Sequence, residues 1–77
     1  MISTELKQVI LQELSLKDFD LTDATTAAMV PGWDSLSHAR IVAAVEDRFA
    51  IRFKTSEVMK LKSVGDLQAL VDRKRAG

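Results

Sequence analysis

Ser35 is the residue of this 77-residue chain best placed for chemistry. It stands in Gly32-Trp33-Asp34-Ser35-Leu36, behind a Pro31-Gly32 turn signal and directly before a strongly periodic helical pattern. Its hydroxyl therefore sits where loop becomes helix, at the positive end of a helix dipole. Backbone N–H groups at such an end favour an attached or bound anion, a phosphate above all. Few other reactive groups are available: one histidine, no cysteine and no tyrosine. A triad of Ser35, His38 and Asp34 fails on spacing. His38 lies three residues along the same helix and faces the core, and a triad also needs an orienting third group and an oxyanion hole. The Gly-x-Ser-x-Gly elbow is missing, since the local run is Trp33-Asp34-Ser35-Leu36-Ser37. Asp18, Asp20 and Asp23 lack the calcium-loop glycine and closing glutamate, and no second histidine completes a metal site. No glycine-rich phosphate loop is present. What remains is an exposed serine with no machinery to activate it, suited to being modified rather than to reacting. A phosphodiester there gains about 0.3–1 kcal/mol from the dipole at the surface. Asp34 opposes that gain, so its role lies in capping or in contact with a modifying enzyme.

The elements that position Ser35 follow from periodicity. Ile2, Leu6, Val9, Ile10 and Leu14 form one stripe and predict a first helix over 2–14, with Ser3 or Thr4 as its cap. Residues 15–34 form a long connection, a length that is usually functional or contains a turn of its own. Leu16, Phe19, Leu21, Met29 and Val30 are expected to pin it to the helices, and Thr22-Asp23 and Thr25-Thr26 to cap brief turns. Trp33 reads as a structural anchor. A second helix is predicted over 35–50, capped by Asp34. At 100° per residue, His38, Ile41, Val42, Val45 and Phe49 face the core, with His38 half-buried and one ring nitrogen bonded locally. Leu36, Ala39, Arg40, Ala43 and Asp47 fall opposite. That outer face fits two readings, a docking surface for another protein or an ordinary solvated face rich in alanine for helix propensity. Ile51 and Phe53 alternate around Arg52 as an extended connector, too short and isolated to make a sheet. A short third helix over 56–61, capped by Thr55 or Ser56, brings Val58, Met59 and Leu61 to the core edge. A fourth helix starts at Ser63, where Ser63-Val64-Gly65-Asp66 has capping-box form and Val64, Leu67, Leu70 and Val71 make the stripe. Gly65 is expected only to cost some propensity.

Composition narrows the function classes. Seventy-seven residues imply one domain over 1–77. Eleven acidic and eleven basic side chains cancel, which argues against a nucleic-acid binder. Arg73-Lys74-Arg75 reads as a frayed helix end whose cations suit the negative dipole. No apolar run approaches the roughly 20 residues of a membrane span. The first residues lack a signal-peptide layout, so a cytoplasmic location without membrane insertion is expected.

Pro31-Gly32-Trp33-Asp34-Ser35-Leu36, followed by Val45-Glu46-Asp47-Arg48-Phe49-Ala50-Ile51, resembles the acyl and peptidyl carrier proteins. The helix order of long, long loop, long, short, long and the chain length agree along the whole sequence. The resemblance implies an all-α, four-helix acyl-carrier-like bundle. It implies that Ser35, flanked by the matching Asp34 and Leu36, carries 4′-phosphopantetheine, added from coenzyme A by a phosphopantetheinyl transferase. Acyl or aminoacyl groups would ride on that arm as thioesters, making the chain a monomeric substrate and shuttle for loading and processing enzymes and not a catalyst. Partner docking would fall to Leu36, Ala39, Arg40, Ala43, Glu46 and Asp47. Carriers of fatty-acid synthesis are usually strongly acidic, whereas this chain has zero net charge and Arg40 mid-face. The resemblance thus points to a specialised polyketide, nonribosomal-peptide or lipid pathway. The alternative is an unmodified helical interaction module using the outer face of the second helix.

Overall fold

A computed structural model describes residues 2–76. Four α-helices and one short 3-10 turn make up its regular structure: α1 (Thr4–Glu13), the turn Ala27–Met29, α2 (Ser35–Phe49), α3 (Thr55–Met59) and α4 (Val64–Ala76). The all-α, four-helix architecture is as expected, and no strand occurs among the described residues.

α1 starts two residues later than its apolar stripe. Ser3 is the cap, its Oγ accepting from the Leu6 N–H at 3.2 Å, which leaves Ile2 outside the helix. Leu6, Val9, Ile10 and Leu11 are buried. They meet Ile41 and Val45 of α2 and Val64, Leu67 and Val71 of α4 in one apolar cluster. At about 25 cal/mol per Å² of apolar surface, this cluster is the main source of stability.

The ends of α1 and α2 share a device. Ser15 has φ +56° and Ala50 has φ +55°. In each case the next residue bonds back five positions, Leu16 N–H to the Leu11 carbonyl at 2.9 Å and Ile51 N–H to the Glu46 carbonyl at 3.0 Å. Such left-handed ends satisfy the last carbonyls, usually through glycine; here a serine and an alanine bear the strain.

The long connection is docked, not loose. Leu21 and Val30 are buried, and Leu16 and Phe19 pack against the cluster. Met29 departs from expectation: it is 61% exposed at the end of the 3-10 turn. Thr25 is buried, its hydroxyl accepting the Thr22 N–H at 2.9 Å. The carbonyls of Thr25 and Asp23 then accept from the first N–H groups of α4, Val64 at 2.7 Å and Gly65 at 3.1 Å. A Cβ on Gly65 would lie 2.6 Å from the Asp23 carbonyl oxygen. Gly65 is therefore required for close backbone approach, a reason that propensity alone does not reveal.

α3 begins earlier than its hydroxyl residues indicate. Lys54 occupies the cap position, and Glu57 Oε1 accepts the Lys54 N–H at 2.8 Å, so no serine or threonine cap is needed. Val58 and Leu61 are half-buried. Met59 turns outward, 80% exposed, and does not close the core. At α4, Ser63 Oγ accepts the Asp66 N–H at 3.2 Å, but the Asp66 carboxylate takes the Lys62 N–H at 3.0 Å and not that of Ser63.

The C-terminal cations are engaged. Lys74 Nζ lies 2.9 Å and Arg73 3.7 Å from the Glu57 carboxylate, and the Arg75 guanidinium sits 5.1 Å above the Phe49 ring. They tie α4 to α3 and α2 and are more than a frayed end. The first and last helices are joined by Gln68, which is buried. Its Oε1 accepts the Ser3 N–H and its Nε2 donates to Asp72, both at 2.8 Å.

Candidate functional site

Ser35 is the first residue of α2 and is exposed. Its position is set from both sides. Before it, Pro31 and Gly32 form the centre of a turn closed by the Trp33 N–H on the Val30 carbonyl at 3.3 Å, with Gly32 at φ +81°. Proline at the first central position and a positive φ at the second are the chemistry of a type II turn. Buried Val30 anchors the entry to that turn.

Asp34 caps the helix behind Ser35. Its Oδ1 accepts the Ser37 N–H at 2.9 Å, and its carbonyl accepts the His38 N–H at 2.8 Å. The Ser37 N–H, then the Ser37 hydroxyl, hold the Asp34 carboxyl below the usual aspartate range, and the Leu36 N–H adds to this. The helix N-terminus thus already holds a carboxylate. An anion attached at Ser35 shares that field with Asp34 and does not have it alone.

Trp33 is half-buried and packs on the core cluster. Its Nε1 donates to His38 Nδ1 at 3.1 Å, with the rings stacked at 6.1 Å between centroids. This is the anchor role expected for Trp33 and the local bond expected for His38. The bond also occupies the ring nitrogen nearest the tryptophan. Beneath the pair lies a cavity of about 30 Å³, lined by Ala27, Trp33, His38, Leu61, Val64 and Leu67 among others. That is room for about one water.

The outer face of α2 has the exposures that its period requires. Leu36 is 63% exposed, and Ala39, Arg40, Ala43 and Asp47 are exposed. Glu46 stands apart from them. It is half-buried, and its Oε2 accepts the Phe53 N–H at 2.8 Å, tying the 50–53 connector to α2. Arg40, Ala43, Glu46 and Asp47 share an open groove of about 810 Å³ with Glu13, Ile51 and Arg52. Sequence periodicity alone misses this groove, because it is closed by the connector after α2. The aspartates of the long loop are dispersed: Asp18 pairs with Lys7 at 3.4 Å, and the Asp23 backbone holds α4.

The chain's hydroxyl-bearing helix start is compatible with a phosphodiester-linked arm. Ser35 is exposed, and the preceding turn is open at Gly32, where an added Cβ would meet no atom within 4 Å. Comparisons with known proteins identify the family. Residues 4–71 match the family described as "Phosphopantetheine attachment site". An acyl carrier protein of Wolinella succinogenes is 25% identical over 71 residues, covering 92% of this chain and 93% of that protein. The solution structure of a holo acyl carrier protein from Geobacter metallireducens superposes with a TM-score of 0.87 at 39% identity. That match covers 92% of this chain and 82% of the other. With helix order and family match in agreement, this chain belongs to the acyl carrier proteins, the family that bears 4′-phosphopantetheine covalently.

Proposed function

We propose that Ser35 is the attachment residue and that residues 1–77 form a single carrier domain. It would present acyl or aminoacyl intermediates to partner enzymes in a specialised lipid, polyketide or nonribosomal-peptide pathway. The observation that carries the assignment is the exposed Ser35 hydroxyl on the first turn of α2, held by the Asp34 cap and the Pro31-Gly32 turn.

When attached, the arm supplies the thiol that the chain lacks, and cargo is held on it as a thioester. The chain's own residues fix where the arm is rooted. Asp34 orders the first turn, Trp33 and His38 brace the turn against the core, and Leu36 stands beside the serine as an exposed apolar contact. Ala39, Arg40, Ala43 and Asp47 continue that contact along the helix, with Glu46 at its edge holding the connector. Phosphopantetheinyl transferase and acyl- or aminoacyl-loading and processing enzymes are the partners of this surface. Tethering raises the effective concentration of cargo at a partner's active site to the millimolar range typical of short linkers. Catalysis is assigned to those partners, since the one histidine is bonded to Trp33.

Intact-protein mass after incubation with coenzyme A and a broad-specificity transferase tests the assignment. One added phosphopantetheine, absent in a folded Ser35→Ala variant, is the expected result. No gain with several transferases would favour an unmodified interaction module using the outer face of α2.

A further inference from the structure

The charges around α3 are sorted by direction. Between residues 51 and 62 the chain carries Arg52, Lys54, Lys60 and Lys62, and one acid, Glu57. All four cations are exposed, whereas the Glu57 side chain is only 20% exposed. Glu57 turns toward α4, where Lys74 and Arg73 neutralise it and its Oε1 also holds the Lys54 N–H. Among the described residues, none of the four outward cations has an acidic partner. Met59, 80% exposed, stands among them on the same short segment. The exposed side of α3 and its two flanks thus carry Met59 and four cations without an acidic partner, on a chain whose net charge is zero; of the four, Arg52 also borders the groove with Glu13, Glu46 and Asp47, and Lys62 the cavity under Trp33 and His38.

We propose that this side of α3 docks on an acidic surface of a cargo-processing enzyme, with Met59 entering an apolar socket there. The proposal rests on the carrier reading, since it names a partner of the same arm-bearing chain. Complementary charge speeds encounter, and like charge excludes partners with basic docking rims. An enzyme is favoured over a membrane because one exposed methionine on a five-residue helix gives far less apolar area than an interfacial helix needs.

The test uses the full chain, converted to its arm-bearing form and checked by mass before anything else is added. Failure to gain the arm removes the carrier reading and is distinct from a failure of docking, which only the loading rates reveal. The probe is an ATP-dependent ligase that loads fatty acids onto carriers through a basic docking rim, together with a variant whose rim lysines and arginines are replaced by glutamate. At low salt the acidic variant is expected to load this chain at least about tenfold faster than its parent, the gap narrowing as ionic strength rises. The chain variant R52E/K54E/K60E/K62E should reverse the preference. K60Q/K62Q, a milder change at two exposed sites, should reduce it, with circular dichroism confirming that both variants are folded. Faster loading by the basic parent, equal rates, no loading by either ligase, or a preference unmoved in both chain variants would overturn the proposal. So would binding to phosphatidylcholine–phosphatidylglycerol vesicles that is lost in the four-glutamate chain, which would assign the surface to anionic lipid.

Discussion

Replacing Gly65 by alanine sets two effects of opposite sign against each other. Helix propensity favours alanine by about 0.8–1 kcal/mol in a helix interior. Packing opposes it. The new Cβ would lie 2.6 Å from the Asp23 carbonyl oxygen and 2.9 Å from both its Cα and Cβ. Two of these three atoms are backbone, so a rotamer change cannot relieve the overlap. Ordinary contact begins near 3.4 Å, so the loop must retreat by about 0.8 Å. That retreat breaks the Gly65–Asp23 hydrogen bond and strains the Val64–Thr25 bond. Overpacking costs about 1–3 kcal/mol and a lost hydrogen bond about 0.5–1.5. The net expectation is a loss of about 1–3 kcal/mol. For a domain of this size, that lowers Tm by about 5–20 °C. Thermal melts followed at 222 nm measure it, with Ala69→Gly as the reference. Ala69 is exposed on the same helix, so its change reports propensity alone. If Gly65→Ala instead raises Tm by about as much as Ala69→Gly lowers it, the loop is not pressed against α4 and the steric account is refuted.

Three further outcomes are expected of the same structure. The Lys74 hydrogen bond, then the Lys54 N–H, hold the Glu57 carboxyl below the usual glutamate range. Its contribution is therefore fully present above the unfolded pKa of about 4.3 and is lost as pH falls through the lower folded value; urea titrations across that window should show a decline that is shallower in Glu57→Gln. Ala50→Gly relieves the left-handed φ of +55° and should raise stability by roughly 0.5–1 kcal/mol, after allowing for glycine's freedom in the unfolded chain, read as an upward shift in the urea midpoint. A double-mutant cycle of Trp33→Phe and His38→Ala should give a coupling energy of about 1 kcal/mol, and coupling near zero would mean that the indole–imidazole bond adds nothing to stability.

What could be read in advance was local in origin. The Asp34 cap, the Pro31-Gly32 turn and the two faces of α2 depend on residues within one turn of each other, and each is found where its spacing placed it. The bond between Trp33 and His38 spans five positions and was legible as a local partner for the histidine. What escaped depends on distant chain segments. Gly65 looks like a mild fault in α4 until Asp23 is brought against it. Glu46 looks like part of an acidic docking end until the connector folds back and places the Phe53 N–H on it. Met29 and Met59 have core-like side chains, but the short helical turns that bear them aim them outward. Ala50 carried no sign of a left-handed residue, because glycine is the usual one there.

The bond from the Ser3 N–H to Gln68 spans 65 positions and closes the fold from end to end. Its consequence lies in the order of events during synthesis. The stretch bearing Ser35 leaves the ribosome before Val64, Leu67, Gln68 and Val71, which complete the core under α1. Until they arrive, α1 and α2 have half a core and no clasp. If Ser35 is primed as proposed, a transferase that reads the ordered start of α2 would meet it only on finished molecules, and the fold itself would act as a checkpoint on which chains are primed.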